Sequence, residues 1–270
     1  MRIVVTGASG FIGKHVVPFL EKSGVELLLV GRNPEKLKVL FPQHRATSYE
    51  HLETEGQGFD ALVHLAVMNN NNKSQKLADF QEVNVTLLKT VFNSARIAGI
   101  KTFINTATIH AYNLRDRSFY AQTKREGEEA LSNTSGISVI NLRLPAVYGS
   151  TFAGKLAILS KVPRIFRSIT FQFLASLKPT VNVNLVALEI LNSAKKGVSK
   201  QTIISDRQNK NVVYHAMKRF LDISFALFVI IVLWWVLVIA WIAVKITTPG
   251  PGIFSHKRVG KNKIPFTILR

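Results

Sequence analysis

The first sixteen residues, MRIVVTGASGFIGKHV, constrain this chain more than any other stretch. An apolar strand, Ile3–Val5, runs into Gly7, Gly10 and Gly13, spaced three apart, and then into a helix. Lacking a Cβ, Gly7 and Gly10 let the backbone turn tightly and approach a pyrophosphate, and Gly13 lets the helix pack close to the strand. The first helical turn offers free N–H groups and the positive end of the helix dipole, which favour phosphate charge. Strand, glycine turn and helix in that order, with Thr6 leading in and Phe11 and Ile12 inside the turn, predict a dinucleotide site.

Up to residue 150 the chain keeps the same rhythm. Short apolar runs at Glu26–Val30, Ala61–Leu65, Thr102–Thr106 and Ser138–Leu142 read as strands. Amphipathic stretches near Lys14–Lys22, Asn84–Ala98 and Tyr120–Leu131 read as helices. Alternation of this kind specifies an α/β fold, a Rossmann-like doubly wound parallel sheet covered on both faces. Composition and pattern divide the chain into a dinucleotide-binding domain (1–150), a small basic annex (151–206), a linker (207–217) and a membrane-embedded portion (218–270) with a short truncated tail. Asn69–Asn72 is a polar loop after the third strand, and no internal repeat is visible.

Charge and apolarity concentrate at the C-terminal end. Ile223–Val244 is 22 residues without a charge, rich in Leu, Ile, Val and Trp, and accounts for much of the 47% hydrophobic content. As a helix it covers about 33 Å, the hydrocarbon thickness of a bilayer. Of the net charge of +19, residues 207–270 contribute nine, from ten Lys or Arg against Asp222. No nucleic-acid motif accompanies the basicity, and basic flanks around an apolar run fit anionic lipid headgroups. The chain has no cysteine, hence no disulfide framework, and the cytoplasm is the expected compartment. Positive residues on both flanks, Lys218 and Arg219 before and Lys245, Lys257, Arg258, Lys261 and Lys263 after, prefer the cytoplasmic side. A straight span would export at least five of them, so the expectation is a re-entrant helix, although Ile223–Val244 contains no proline to break it.

Chemistry is carried by three strings in order: FINTATIHAY, then YAQTK, then LRLPAVYG. Tyr120 and Lys124 share a helix face by their i,i+4 spacing. A neighbouring ammonium favours the phenolate and is expected to lower the Tyr120 pKa toward a useful acid–base range. With a strand-end hydroxyl to orient the substrate oxygen, such a set can reduce a ketone or oxidise an alcohol by hydride transfer. No metal is expected.

With these motifs, residues 1–205 resemble the extended short-chain dehydrogenase/reductase family of nucleotide-sugar epimerases, dehydratases and reductases. The resemblance also rests on DALVHLA (Asp60–Ala66), on Asn84 in VNVTLLKT, and on LRLPAVYG. It implies cofactor contacts at Gly7, Gly10, Phe11, Ile12, Gly13, Leu65, Ala66 and Lys124, and catalysis by Tyr120 and Lys124. In the family the catalytic Ser or Thr stands four residues before a strand-end Tyr. Counting back from Tyr112 gives Thr108, with Thr106 as runner-up. Dehydratases of the family carry Asp-Glu after that hydroxyl; Ile109 and His110 stand here, which argues against dehydration. A loop histidine such as His110 is more often a bystander than a base. Where NAD enzymes place an acid after the second strand, this chain has Gly31 and Arg32, and an arginine there can pair with a 2′-phosphate, so the cofactor is NADP or NAD. The expected activity is reduction of a 4-keto UDP-sugar, then 4-epimerisation. The annex of about 56 residues after Ser150 is short for the family. Within it Lys155, Lys161, Arg164 and Arg167 fit either a substrate diphosphate or a membrane surface.

The last 54 residues resemble a second family, the bacterial sugar transferases that move a sugar phosphate onto a polyprenyl phosphate. KRFLD (Lys218–Asp222) and PGPGIFSHKRVGKNKIPFTILR carry the match, including Pro251, Phe254, Arg258, Gly260 and Phe266. The catalytic Asp-Glu pair of that family lies beyond an arginine-rich stretch that here only begins at Arg270. Transferase activity is therefore not expected, the chain reading as a truncated product or a fragment of a longer fusion. Expected partners are a UDP-sugar, membrane lipid, enzymes of the polyprenyl-phosphate pathway and a second copy of the chain, with nucleic acid excluded. The expected place is the cytoplasmic face of a bacterial inner membrane, in surface polysaccharide synthesis. A membrane-anchored binding or scaffold protein with a degenerate pocket is the competing reading; the short annex supports it, and the intact Thr108, Tyr120 and Lys124 oppose it.

Overall fold

The computed structural model describes residues 1–70, 76–132, 136–150, 152, 154–198, 200–206, 211–247, 255–259 and 265–269. Asn71 and Asn72 of the polar loop, residues 207–210 of the linker, and Pro251, Phe254, Gly260, Lys261, Lys263 and Arg270 lie outside these residues. Contacts divide the chain into two units, Met1–Asn211 and Val212–Arg270.

The first unit contains strands β1 (Arg2–Thr6), β2 (Glu26–Val30), β3 (Arg45–Thr47), β4 (Ala61–His64), β5 (Thr102–Thr108), β6 (Ser138–Leu144), β7 (Ala146–Tyr148), β8 (Thr180–Asn182) and β9 (Lys200–Ile203). Seven of them form one sheet in the order β3-β2-β1-β4-β5-β6-β9. Every pairing in it is parallel. Around the sheet run α1 (Gly13–Lys22), α2 (Pro34–Leu40), α3 (Leu52–Glu55), α4 (Leu77–Gln81), α5 (Leu87–Ile97), α6 (Ile109–Tyr112), α7 (Phe119–Ser132), α8 (Arg164–Leu177) and α9 (Val183–Lys196). The strands are continuous apolar runs because both faces are covered. Alternate residues go to opposite sides: Ile3, Val5, Leu27, Leu29 and Val63 join α1 and α9 in one buried cluster. Val4, Leu28, Val30, Leu62 and Phe103 join α3, α5 and α7 in the other. The chain reverses direction across the sheet between β1 and β4, and Thr6 and His64 stand side by side at their carboxyl ends. That is where an open α/β sheet offers a crevice.

Several boundaries differ from the sequence-based expectation. β5 and β6 each run two residues further, to Thr108 and Leu144, because Ala107 and Leu144 are still buried. The helix expected over 84–98 begins as a π-helical turn at Glu82–Thr86 before α5 takes over. The division at residue 150 is corrected more deeply. α9 buries Val186, Ala187, Ile190, Leu191 and Ala194 in the cluster it shares with α1. β9 extends the main sheet beside β6. The expected annex is thus split: of its described elements, a 3₁₀ stretch (Gly154–Lys161), α8 and β8 stand outside the sheet and its covering helices, and β8 pairs with β7 from before residue 150.

The second unit is α10 (Val212–Thr247) followed by an antiparallel pair, β10 (Ser255–Val259) and β11 (Pro265–Leu269). The second half of the expected linker is therefore the start of α10. This helix has 36 residues, a length of about 54 Å, and is long and apolar enough to cross a membrane. It contains neither glycine nor proline and runs unbroken, so the bend required by the expected re-entrant hairpin is not found within it.

Phe103 on β5 is fully buried, with its ring 5.2 Å from Phe92 and 6.2 Å from His64. Phe103→Ala leaves a cavity between sheet and α5. The expected cost is about 3–5 kcal/mol, read as a lower urea midpoint by near-ultraviolet circular dichroism in detergent.

Candidate active site

The turn after β1 is shaped by what a side chain would strike. Gly7 has φ of 72°, and a Cβ on it would lie 2.4 Å from the Ala66 nitrogen and 2.6 Å from the Leu65 carbonyl carbon. At Gly13 a Cβ would sit 2.5 Å from the Ala8 backbone. The turn closes through Gly10 N–H donating to the Gly7 carbonyl at 3.0 Å, and α1 starts with Lys14 N–H donating to that of Gly10 at 3.0 Å. The amides of Phe11, Ile12 and Gly13 have no acceptor among the described residues. Free amides at the start of a ten-residue helix are the donor set that a pyrophosphate needs. Beside the turn lies a cavity of about 290 Å³ lined by Gly7, Gly10, Gly31, Arg32, Leu65 and Ala66, with Tyr49, Glu82, Val83 and Leu87 also on its wall. Arg32 is exposed at its rim. Burial raises the Tyr49 pKa above the ordinary phenol value, and the Arg32 charge works against that rise. On these observations the residues fit a dinucleotide.

At the carboxyl end of β5 a second group assembles. Lys124 is 3% exposed and its ammonium donates to the Thr106 carbonyl at 2.8 Å. The Thr106 hydroxyl is used up on the His64 carbonyl at 2.8 Å, so the runner-up hydroxyl is satisfied by backbone. The Thr108 hydroxyl instead accepts the His110 amide at 3.3 Å, and it is the group that works to lower the Tyr120 pKa. Thr108, Tyr120 and Lys124 are thus gathered where β5 meets α7, while the wall of the cavity beside the glycine turn belongs to other residues. His110 pairs with Asp116 at 3.0 Å, its side chain more than half exposed. Arg167 caps the carbonyls of Ser160 and Val162, which removes it from the group of free cations. Lys161 and Arg164 are exposed; the side chain of Lys155 is outside the described residues.

The electrostatics correct one expectation. Burial raises the Tyr120 pKa above its ordinary value, and the Thr108 hydroxyl works against that rise. The lysine does not lower it, because its ammonium is turned onto a backbone carbonyl and desolvation of the phenol dominates. Burial also lowers the Lys124 pKa to about 8, with Glu128 pulling it back up. Glu128 stands one helical turn beyond Lys124 and is gripped by Arg143 through Nε at 3.0 Å and Nη2. The Arg143 guanidinium also lies over the Tyr112 ring, 5.4 Å from its centre. Sequence reasoning misses this Glu128–Arg143 pair; its one trace is the i,i+4 spacing of Lys124 and Glu128. His64 is buried neutral, its pKa lowered to about 3 by desolvation and by Lys124, with Nδ1 2.9 Å from the Thr6 hydroxyl. Asn84, inside the π-helical turn, holds Met68 N–H at 2.9 Å, Met68 carbonyl at 3.0 Å and Thr123 hydroxyl at 3.0 Å, pinning the segment after β4 to α7.

Residues 3–178, well over half of the sequence, match the NAD dependent epimerase/dehydratase family. The chain belongs to that family. Residues 213–270 match the bacterial sugar transferase family. The epimerase/dehydratase portion is 30% identical over 160 residues to a CDP-abequose synthase of Salmonella typhimurium, covering 54% of this chain and 53% of that protein. It is 30% identical over 153 residues to a ceramide reductase of Caulobacter vibrioides, covering 54% of this chain and 46% of that protein. The chain therefore spans about half the length of these curated relatives. Among solved structures, a UDP-glucose 4-epimerase of Thermotoga maritima with UDP-glucose shares the fold, with a TM-score of 0.61 at 22% identity over 76% of this chain and 77% of that one.

For this epimerase/dehydratase-family chain the buried lysine has a measurable consequence. Lys124 is lowered from 10.5 to about 8 in the folded state, so between those values the unfolded chain holds a proton that the folded one has released. Stability should rise with pH across that window by up to about 3 kcal/mol. In Lys124→Met the rise should be absent when urea midpoints are compared through the same window; an equal rise in the variant would contradict the assignment.

Proposed function

We propose that the chain is an NAD(P)-dependent oxidoreductase of a nucleotide sugar, reducing a 4-keto UDP-sugar or epimerising at the same carbon. The observation that supports this best is the docking of α7, which carries Tyr120 and Lys124 one turn apart, on the end of β5 that carries Thr108, through the Lys124 ammonium on the Thr106 carbonyl at 2.8 Å. β1, β4 and β5 are adjacent and parallel, so this group and the glycine turn share one edge of the sheet. In this reading the amides of Phe11, Ile12 and Gly13, beside Gly7 and Gly10, take the pyrophosphate. Leu65 and Ala66 floor the site, Arg32 takes a 2′-phosphate at the rim, and Lys124 holds the nicotinamide ribose. The nicotinamide, when bound, supplies or accepts a hydride.

The chain's own residues handle the proton. Raised by burial, Tyr120 is a neutral phenol at physiological pH, the form that donates a proton to a carbonyl oxygen as it is reduced. Thr108 orients that oxygen. α10 and the sugar-transferase match support a tether at the cytoplasmic face of a bacterial plasma membrane, near polyprenyl-phosphate enzymes and in surface polysaccharide synthesis, with no transferase reaction assigned to residues 213–270. A second reading, reduction of a lipid-borne ketone, is favoured by the likeness to a ceramide reductase.

Tyr120→Phe should cut turnover of a UDP-4-keto sugar by about 10²–10⁴-fold while NAD(P)H affinity, read by fluorescence titration, stays near wild type. Unchanged turnover rejects the assignment. Turnover with a ceramide-like ketone and none with any UDP-4-keto sugar selects the second reading. Arg32→Asp should move the cofactor preference from NADPH toward NADH in the ratio of kcat/KM values, and an unaltered ratio rejects the phosphate role.

A further inference from the structure

Helix α8 presents its apolar side outward. Ile165, Phe166, Ile169, Phe173 and Leu177 fall on one face by their three- and four-residue spacing, and are 83, 60, 65, 44 and 55% exposed. The helix cannot roll to hide them, because its other side is committed. Phe171 packs on Tyr148 and Phe152 with ring centres at 4.6 and 5.8 Å, and Arg167 is tied to the carbonyls of Ser160 and Val162. A continuous stripe of five large apolar side chains on a 14-residue helix is more than a soluble surface ordinarily leaves bare. Its borders are positive: Lys161, Arg164 and Lys178 are exposed, and the sequence holds no acid between Glu129 and Glu189.

Chain connectivity says what covers this face. The Asn211 side-chain amide donates to the Gln172 carbonyl of α8 at 2.8 Å, and the next residue, Val212, is the first of α10. The charge-free run starts at Ile223, about 17 Å further along that helix. α8 is thus tied to the chain at Asn211, twelve residues before the start of the charge-free run. An apolar stripe bordered by lysine and arginine is the pattern of a helix lying in the plane of a bilayer surface. We propose that the Ile165–Leu177 face of α8 docks into the headgroup layer of an anionic membrane, as a second contact beside α10. This rests on the membrane tether proposed above.

The absence of cysteine makes the test direct, since single-cysteine variants of the full chain can be labelled with an environment-sensitive fluorophore. Ile169→Cys, Val236→Cys on α10 and Glu35→Cys, whose side chain is 81% exposed on α2, are placed in phosphatidylglycerol/phosphatidylcholine vesicles carrying nitroxide lipids. Ile169 should lose most of its emission to a nitroxide near the headgroup and less to one near the chain end. Val236 should be quenched strongly, and Glu35 by neither. Lys161→Glu with Arg164→Glu, both exposed, should abolish quenching at Ile169 and leave Val236 unchanged. Quenching at Val236 without quenching at Ile169 overturns the docking alone. Energy transfer between Ile169 labels of separate copies, without lipid quenching, assigns the face to a second copy and also overturns it. No quenching at Val236 overturns the tether and the docking together.

Discussion

Lys124 is the interaction on which the rest of the site depends. A nearly unexposed ammonium is tolerated only when its charge and protons are answered, and here three elements answer them. β5 supplies the Thr106 carbonyl, α7 supplies Glu128, and β6 holds Glu128 in place through Arg143. The arrangement costs stability at neutral pH, since the folded chain holds the lysine's proton only up to about 8. In return it fixes α7, and with it Tyr120, against the strand that carries Thr108.

The same strand ends carry a second constraint. Gly7 lies so close to Leu65 and Ala66 that no side chain fits between them, and the approach closes the floor of the cavity. Thr6, His64 and Thr106 then link β1, β4 and β5 through the His64 ring and carbonyl. A neutral, buried histidine suits this position, because a charged one would face Lys124. The glycine turn and the Tyr120–Lys124 face are therefore two ends of one buried polar layer.

Much of this is legible in the sequence. The glycine spacing, the Tyr120–Lys124 spacing and the apolar strand runs depend on local periods of three, four and two residues, which a sequence displays directly. Thr108 can be preferred over Thr106 only by resemblance, and the hydrogen bonds separate them: the Thr106 hydroxyl donates to the His64 carbonyl, while that of Thr108 accepts the His110 amide and acts on the Tyr120 phenol. The role of Arg143 is hidden because its partner is on α7, fifteen residues away in sequence. α9 and β9 pass for annex because a four-residue strand, KQTI, gives almost no periodic signal until β6 is seen beside it.

By itself the sequence determined the fold class, the glycine turn, the placement of Tyr120 and Lys124 one turn apart on a helix, and a helix long and apolar enough for a bilayer, since each follows from spacing or composition along the chain. Tertiary structure alone decided how the charges are balanced and which surfaces remain bare. The expected acidification of the phenol by the adjacent ammonium is not found: Lys124 is turned onto a backbone carbonyl, and desolvation, which depends on everything packed around the ring, raises the Tyr120 pKa. The exposed stripe of α8 is likewise invisible to periodicity, which reports that a helix has an apolar face but not whether anything covers it.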